Sequence, residues 1–152
     1  MTNLREIVEK IKNKDLVEAL KLCDNYNDKN NQHIISNFKG VIYLIKGDLK
    51  LSEKNLLKSI ELKPQFEDPI KNLYSLHLKR KEFDKVLFYA KKLVELNSVN
   101  NEYNYQLAYA HELNNNLNET VENYLKYISL DGKNKKQAYN NIGCLYLKRN
   151  NP

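Results

Sequence analysis

Two histidines, His77 and His111, stand 34 residues apart and are the first candidates for chemistry in this chain. Neighbouring helices pack about 8–10 Å apart, so imidazoles at equivalent places on stacked helices come within reach of one another. A zinc site needs three or four ligands. Cys144 lies one interval further on but adds only a single thiol. The same column holds Tyr43 and Tyr146, which are packing residues, so the histidines read as core and no metal is expected. Carboxylates are plentiful but scattered. Glu112 and Glu119 read as solvated helix-end residues, and no pair suits a general acid and base. Glycine-rich phosphate loops, a Gly-x-Ser-x-Gly elbow and a His-Glu-x-x-His motif are all missing from the sequence. The expectation is a protein without cofactor or catalysis. Another polar type does recur: Asn72, Gln106 and Asn141 follow one another at 34 and 35 residues, in a column that opens with Phe38.

The same interval governs the whole chain. A short hydrophobe after a turn recurs as Leu16, Leu49, Phe83 and Leu117, at 33, 34 and 34 residues. Gly40, Tyr74, Ala108 and Gly143 keep the same step, and so do Tyr43, His77, His111 and Tyr146. A fixed period of this size marks stacked supersecondary units, each unable to bury its apolar face alone. Within one period the apolar spacing is helical twice over. Ile70, Leu73, Leu76 and His77 line one stripe, and Phe83, Val86, Leu87, Ala90, Leu93 and Val94 line another. The spacing predicts helices over 69–80, 83–96 and 136–149. Polar joints such as Lys46-Gly47-Asp48 and Asn114-Asn115-Asn116 separate the two helices of a unit. Pro64 and Pro69 bracket the hand-over to the next unit.

The 152 residues suffice for one ordinary domain with a real core. Hydrophobic residues at 41% and charged residues at 29% fit a soluble chain, and 3 prolines with 4 glycines leave room for an all-helical one. The net charge of +6 raises an acidic partner or nucleic acid. The charge is spread, however, and the row Lys46, Lys50, Lys54, Lys58 falls on an outward helix face, so nucleic acid is not expected. The N-terminus lacks a signal-peptide core and no segment could span a membrane. Cys23 and Cys144 both fall at apolar positions far apart in the chain, which suits a reducing, cytoplasmic setting.

On these residues the chain resembles the tetratricopeptide repeats. Gly40-Val41-Ile42-Tyr43, Gly47-Asp48-Leu49 and Ile60-Glu61-Leu62-Lys63-Pro64 carry that family's pattern, as does Ala138 through Tyr146. Lys39, Tyr74, Ser98 and Gly132 depart from it. The resemblance implies an all-α fold, an α-α superhelix of about nine helices in antiparallel pairs. It implies one domain over 1–152 with repeats 1–32, 33–66, 67–100 and 101–134 and a half repeat 135–152. It also implies that the first helix of each pair lines a concave groove, with the column of Asn72, Gln106 and Asn141 on its floor. A carboxamide offers an acceptor and two donors and can pair with the backbone of an extended peptide. Neighbouring groove columns add Asn37, Lys71, Tyr105 and Asn140, then Val41, Ser75, Tyr109 and Cys144. The segment Tyr139-Asn140-Asn141-Ile142-Gly143 is similar to repeats in the array of O-linked N-acetylglucosamine transferase.

The resemblance therefore implies a protein- or peptide-binding scaffold. The alternative is the N-terminal recruitment module of a larger glycosyltransferase or sulfotransferase. The clamp that chaperone co-factors close on a C-terminal carboxylate is not matched, since its places hold Asn37, Val41, Asn72, Glu102 and Gln106. The final helix carries Ile142, Leu145, Tyr146 and Leu147 with no second helix following in this sequence. Either a continuation beyond Pro152 or self-association through this end is expected.

Overall fold

The short hydrophobes that keep the register each begin a helix. In the computed structural model, which describes residues 3–150, α1 (Leu4–Lys12) is followed by α2 (Leu16–Asp24) and a single 3₁₀ turn (Lys29–Asn31). Then come α3 (Gln32–Lys46), α4 (Leu49–Leu62), α5 (Glu67–Arg80) and α6 (Phe83–Leu96). The last three are α7 (Asn101–Leu113), α8 (Leu117–Ser129) and α9 (Lys135–Asn150). The fold is all-α: nine helices and no strand among the described residues. Leu16, Leu49, Phe83 and Leu117 open α2, α4, α6 and α8, so the register sets the start of every second helix. Pro69 lies inside the first turn of α5 rather than ahead of it. A proline is tolerated there because the first helical N–H groups have no intrahelical partner to lose.

Each tight turn is closed in the same way. One residue takes the left-handed conformation: Lys14 at φ 60°, Gly47 at 83°, Lys81 at 59° and Asn115 at 59°. It is followed by the cap of the next helix. Asp15 accepts from the Glu18 N–H and Asp48 from the Leu51 N–H, satisfying donors that a helix start leaves open. Glycine or asparagine suits the left-handed position, but Lys14 and Lys81 hold it at a steric cost.

Two compact units divide the chain, Met1–Leu76 and His77–Pro152, the division falling within α5. In the first unit α1 packs on α2, α2 on α3, and α3 on α4. Its core gathers Ile7, Ala19, Cys23, Ile35 and Ile42, with Phe38 packed against them. The small column explains one close approach. A Cβ on Gly40 would meet Leu56 Cδ2 at 2.5 Å, so α3 and α4 sit too near for a side chain there. Lys39, out of pattern as a charged residue, is held by Asp24 at 2.6 Å. In the second unit α6 packs on α7, α7 on α8, and α8 on α9. One core cluster here is Ala108, Tyr124, Tyr127 and Ala138, joined by Ile142 from the final helix. Gly132 replaces a closing proline because the Tyr127 ring occupies the space its Cβ would take.

Candidate functional site

The columns read from the sequence fall differently in the two units. In the first, Asn37 and Val41 on α3 meet Asp68, Lys71 and Asn72 on α5 and Val8, Ile11 and Lys12 on α1 around one open cleft of about 450 Å³. That volume is within the usual range of about 300–1,000 Å³ for ligand pockets. The walls are mostly apolar, with Phe38 beside Val8, Ile11 and Val41. On its floor Asn72 Nδ2 donates to Asn37 Oδ1 at 2.9 Å. This bond joins residues on two helices and fixes the orientation of both carboxamides. Asn37 is buried and its carboxamide oxygen accepts this bond, so it supports Asn72 and is not a free surface group. Lys71 is held by Asp68 at 2.7 Å. Ser75 is exposed and donates back to the Lys71 carbonyl at 3.1 Å.

In the second unit the aromatic and amide residues form a network of their own. Asn141 Nδ2 donates to the hydroxyls of Tyr124 at 3.0 Å and Tyr105 at 3.3 Å. Its Oδ1 accepts from Gln137 Nε2 at 2.9 Å. Tyr105 stacks edge-on to Tyr124 and Tyr127, with centroids 5.3 and 5.1 Å apart. Tyr124 in turn donates to Glu112 Oε2 at 3.1 Å, so Glu112 is half-buried and engaged, and not the fully solvated helix-end residue its position suggests. Burial chiefly pushes the Tyr124 hydroxyl well above the usual phenol range, and Asn141 opposes the shift. Gln106 is half-buried on α7, Tyr109 is exposed on the same helix, and Asn140 is exposed on α9.

His77 and His111 occupy matching places and do matching work. His77 Nδ1 lies 2.6 Å from Glu82 Oε2 and its ring stacks on Tyr89. His111 Nδ1 lies 3.2 Å from Asn116 Nδ2. Each ring therefore ties the end of one helix to the residue that starts the next, five positions on. Lys10 does the same with Asp15 at 2.9 Å. Burial holds His111 below the usual imidazole range, and Lys91 adds to this. Among the described residues no three His, Cys, Asp or Glu side chains gather as metal ligands. Both thiols are free, Cys23 buried and Cys144 exposed, so the apolar position of Cys144 is not a core position. No helix among the described residues is long and apolar enough to cross a membrane.

Comparison with known proteins bears on the fold. Residues 35–66, the second of the repeats, match the family model for the tetratricopeptide repeat. No protein of curated function matches the sequence. Among solved structures, a crystal structure of MamA superposes with a TM-score of 0.81 at 18% identity, over 99% of this chain and 86% of that one. MamA from Desulfovibrio magneticus RS-1, residue 41 to its end, gives 0.80 at 16% identity over 96% and 82%. The first tetratricopeptide domain of Spaghetti (RPAP3), bound to the HSP90 peptide SRMEEVD, gives 0.68 at 18% identity over 78% and 93%. The chain thus has the fold of a tetratricopeptide solenoid, built from antiparallel helix pairs.

Proposed function

We propose that this chain is a non-enzymatic scaffold that binds an extended protein segment along its first-of-pair helices. The observation that carries the reading is the Asn37–Asn72 bond on the floor of an apolar cleft. Ordering Asn72 in the free protein lowers the cost of binding, because its rotamer need not be fixed on association. The solved complex of Spaghetti with a peptide supports the same use of the fold. In this reading Asn72, flanked by Lys71 and Ser75, contacts the ligand backbone in the first unit, and Gln106 and Asn141, flanked by Tyr105, Tyr109 and Asn140, do so in the second. Asn37 supports Asn72. Asn141 contributes through the second acceptor position of its carboxamide oxygen, which already accepts once from Gln137, since its amide N–H groups are engaged by the tyrosines.

Selection of displayed random peptides, followed by dissociation constants on wild type and variants, tests this. A lost hydrogen bond costs about 0.5–1.5 kcal/mol, so Asn72→Ala weakens binding roughly two- to twelvefold. The triple change of Asn72, Gln106 and Asn141 to Ala weakens it far more. An unchanged constant for the triple variant ends the reading.

Self-association belongs to the same proposal. Tyr146, 51% exposed on α9, lines a cleft with Leu117, Val121 and Leu125 of α8, and Leu147 on the same helix is 67% exposed. Sedimentation of Leu147→Lys against wild type reads it directly: a monomeric wild type at high concentration refutes self-association. A second reading, a recruitment module of a larger transferase acting in the cytoplasm, draws on the segment Tyr139–Gly143. It falls if the complete gene encodes no catalytic domain.

A further inference from the structure

The cleft between α1, α3 and α5 carries more chemistry than a backbone-reading floor. Val8, Ile11, Phe38 and Val41 wall it, all half-buried, and they leave an apolar slot open beside the amide pair. A surface made only to grip a peptide backbone has no use for such a slot. The first unit's core is already closed around Ile7, Ala19, Ile35 and Ile42, so these four side chains present their remaining apolar area to the opening. Filling it removes that area from water together with the area of whatever enters.

The polar groups at the slot complement one peptide unit. Asn72 uses one amide N–H on Asn37 and makes no other hydrogen bond among the described residues, so its carboxamide oxygen remains to accept a backbone N–H. The charges at the rim are not balanced. Asp68 is engaged by Lys71, whereas Lys12, exposed at the end of α1, has no ion pair among the described residues. The α1 side of the slot therefore carries a net positive charge.

We propose that the cleft recognises an internal, extended segment carrying one large aliphatic or aromatic side chain next to an acidic residue. The apolar side chain enters the slot against Phe38 and Val41. The adjacent main-chain N–H meets Asn72, and the carboxylate faces Lys12. The recognised feature is a side chain, so a free C-terminus is not required. This inference rests on the peptide-binding reading above and names the class of segment it takes.

The probe is a blocked peptide, acetyl-Ser-Leu-Glu-Ser-amide, titrated at millimolar concentration into ¹⁵N-labelled protein. Saturable shifts are expected at the amides around Val8, Ile11, Phe38 and Val41. Replacing the probe leucine by serine weakens binding by at least about tenfold, the worth of a buried leucine. Replacing its glutamate by lysine, or making the Lys12→Glu protein, weakens it roughly two- to fivefold. The reversed probe on Lys12→Glu regains what is lost, which a folding defect would not produce. Val8→Ser, checked by circular dichroism, weakens the leucine probe alone. Equal binding of the serine and leucine probes overturns the proposal, as does binding that demands an unblocked C-terminus. Saturable shifts confined to α7 and α9, around Gln106 and Asn141, overturn it while leaving the peptide-binding reading standing. The absence of saturable shifts for every probe overturns both.

Discussion

Gly40 and Gly143 stand in the same column of the repeat, yet the structure gives them opposite roles, and alanine at each separates the two. On Gly40 a new Cβ would lie 2.5 Å from Leu56 Cδ2, 2.6 Å from its Cγ and 3.3 Å from its backbone N. Leu56 is fully buried, so the side chain cannot swing away, and the backbone contact resists a shift of the helix. Ser52 also donates to the Gly40 carbonyl at 2.8 Å, which ties the same two helices together. Overpacking of this kind costs about 1–3 kcal/mol, while replacing a mid-helix glycine by alanine returns about 0.5–1 kcal/mol. With fully buried Leu56 unable to yield, the overpacking lies toward the upper part of that range, and Gly40→Ala should lose up to about 2.5 kcal/mol. A Cβ on Gly143 meets nothing within 4 Å, so Gly143→Ala should gain about 0.5–1 kcal/mol. Urea unfolding followed by circular dichroism measures both, as a change in midpoint at constant slope. Leu56→Ala opens the space, so in that background Gly40→Ala should be neutral or stabilising. If Gly40→Ala matches wild type, or if both glycines respond alike, the α3–α4 contact described above is wrong.

Three further outcomes follow from single residues. Lys81 holds a left-handed φ of 59°, so Lys81→Gly should stabilise by up to about 1 kcal/mol in the same unfolding assay. Burial pushes the Cys23 thiol up to about 11, while Cys144 is exposed; one equivalent of thiol should react with Ellman's reagent in the native protein and two after unfolding. The His111 imidazole is held below its ordinary value, so the unfolded chain binds the proton more readily. Stability should fall as pH drops through the ordinary imidazole range toward the lowered folded value, and His111→Gln should flatten that slope in pH-dependent unfolding.

Much of the fold is legible in the sequence because the determinants are local and repeated. The hydrophobe after each turn, the acidic caps Asp15 and Asp48 and the polar joints fix where Leu16, Leu49, Phe83 and Leu117 begin their helices. The site is less legible. A column assigns a residue to a helix face, but not the partner its side chain finds across helices. Asn37 reads as a groove residue and is buried under Asn72. Asn141 reads as a floor amide and is drawn into a bond network with Tyr105 and Tyr124. Glu112 reads as solvated and accepts from Tyr124. The left-handed lysines at 14 and 81 leave no compositional signal, because their position is set by the turn and not by residue type. The equivalence of Lys10, His77 and His111 was available from spacing alone, since each stands five residues before the helix cap it contacts.

The most direct measurement is where a selected peptide sits. A peptide obtained by display against this protein, given a spin label at one end, reports its position through relaxation of nearby amides in the ¹⁵N spectrum. The peptide-binding account predicts broadening along α1, α3 and α5, centred on Val8, Phe38 and Asn72, and a roughly two- to twelvefold higher peptide concentration needed to produce that pattern on Asn72→Ala. Broadening confined to Leu117, Val121 and Tyr146 at the α8–α9 cleft, unaffected by Asn72→Ala, would contradict it.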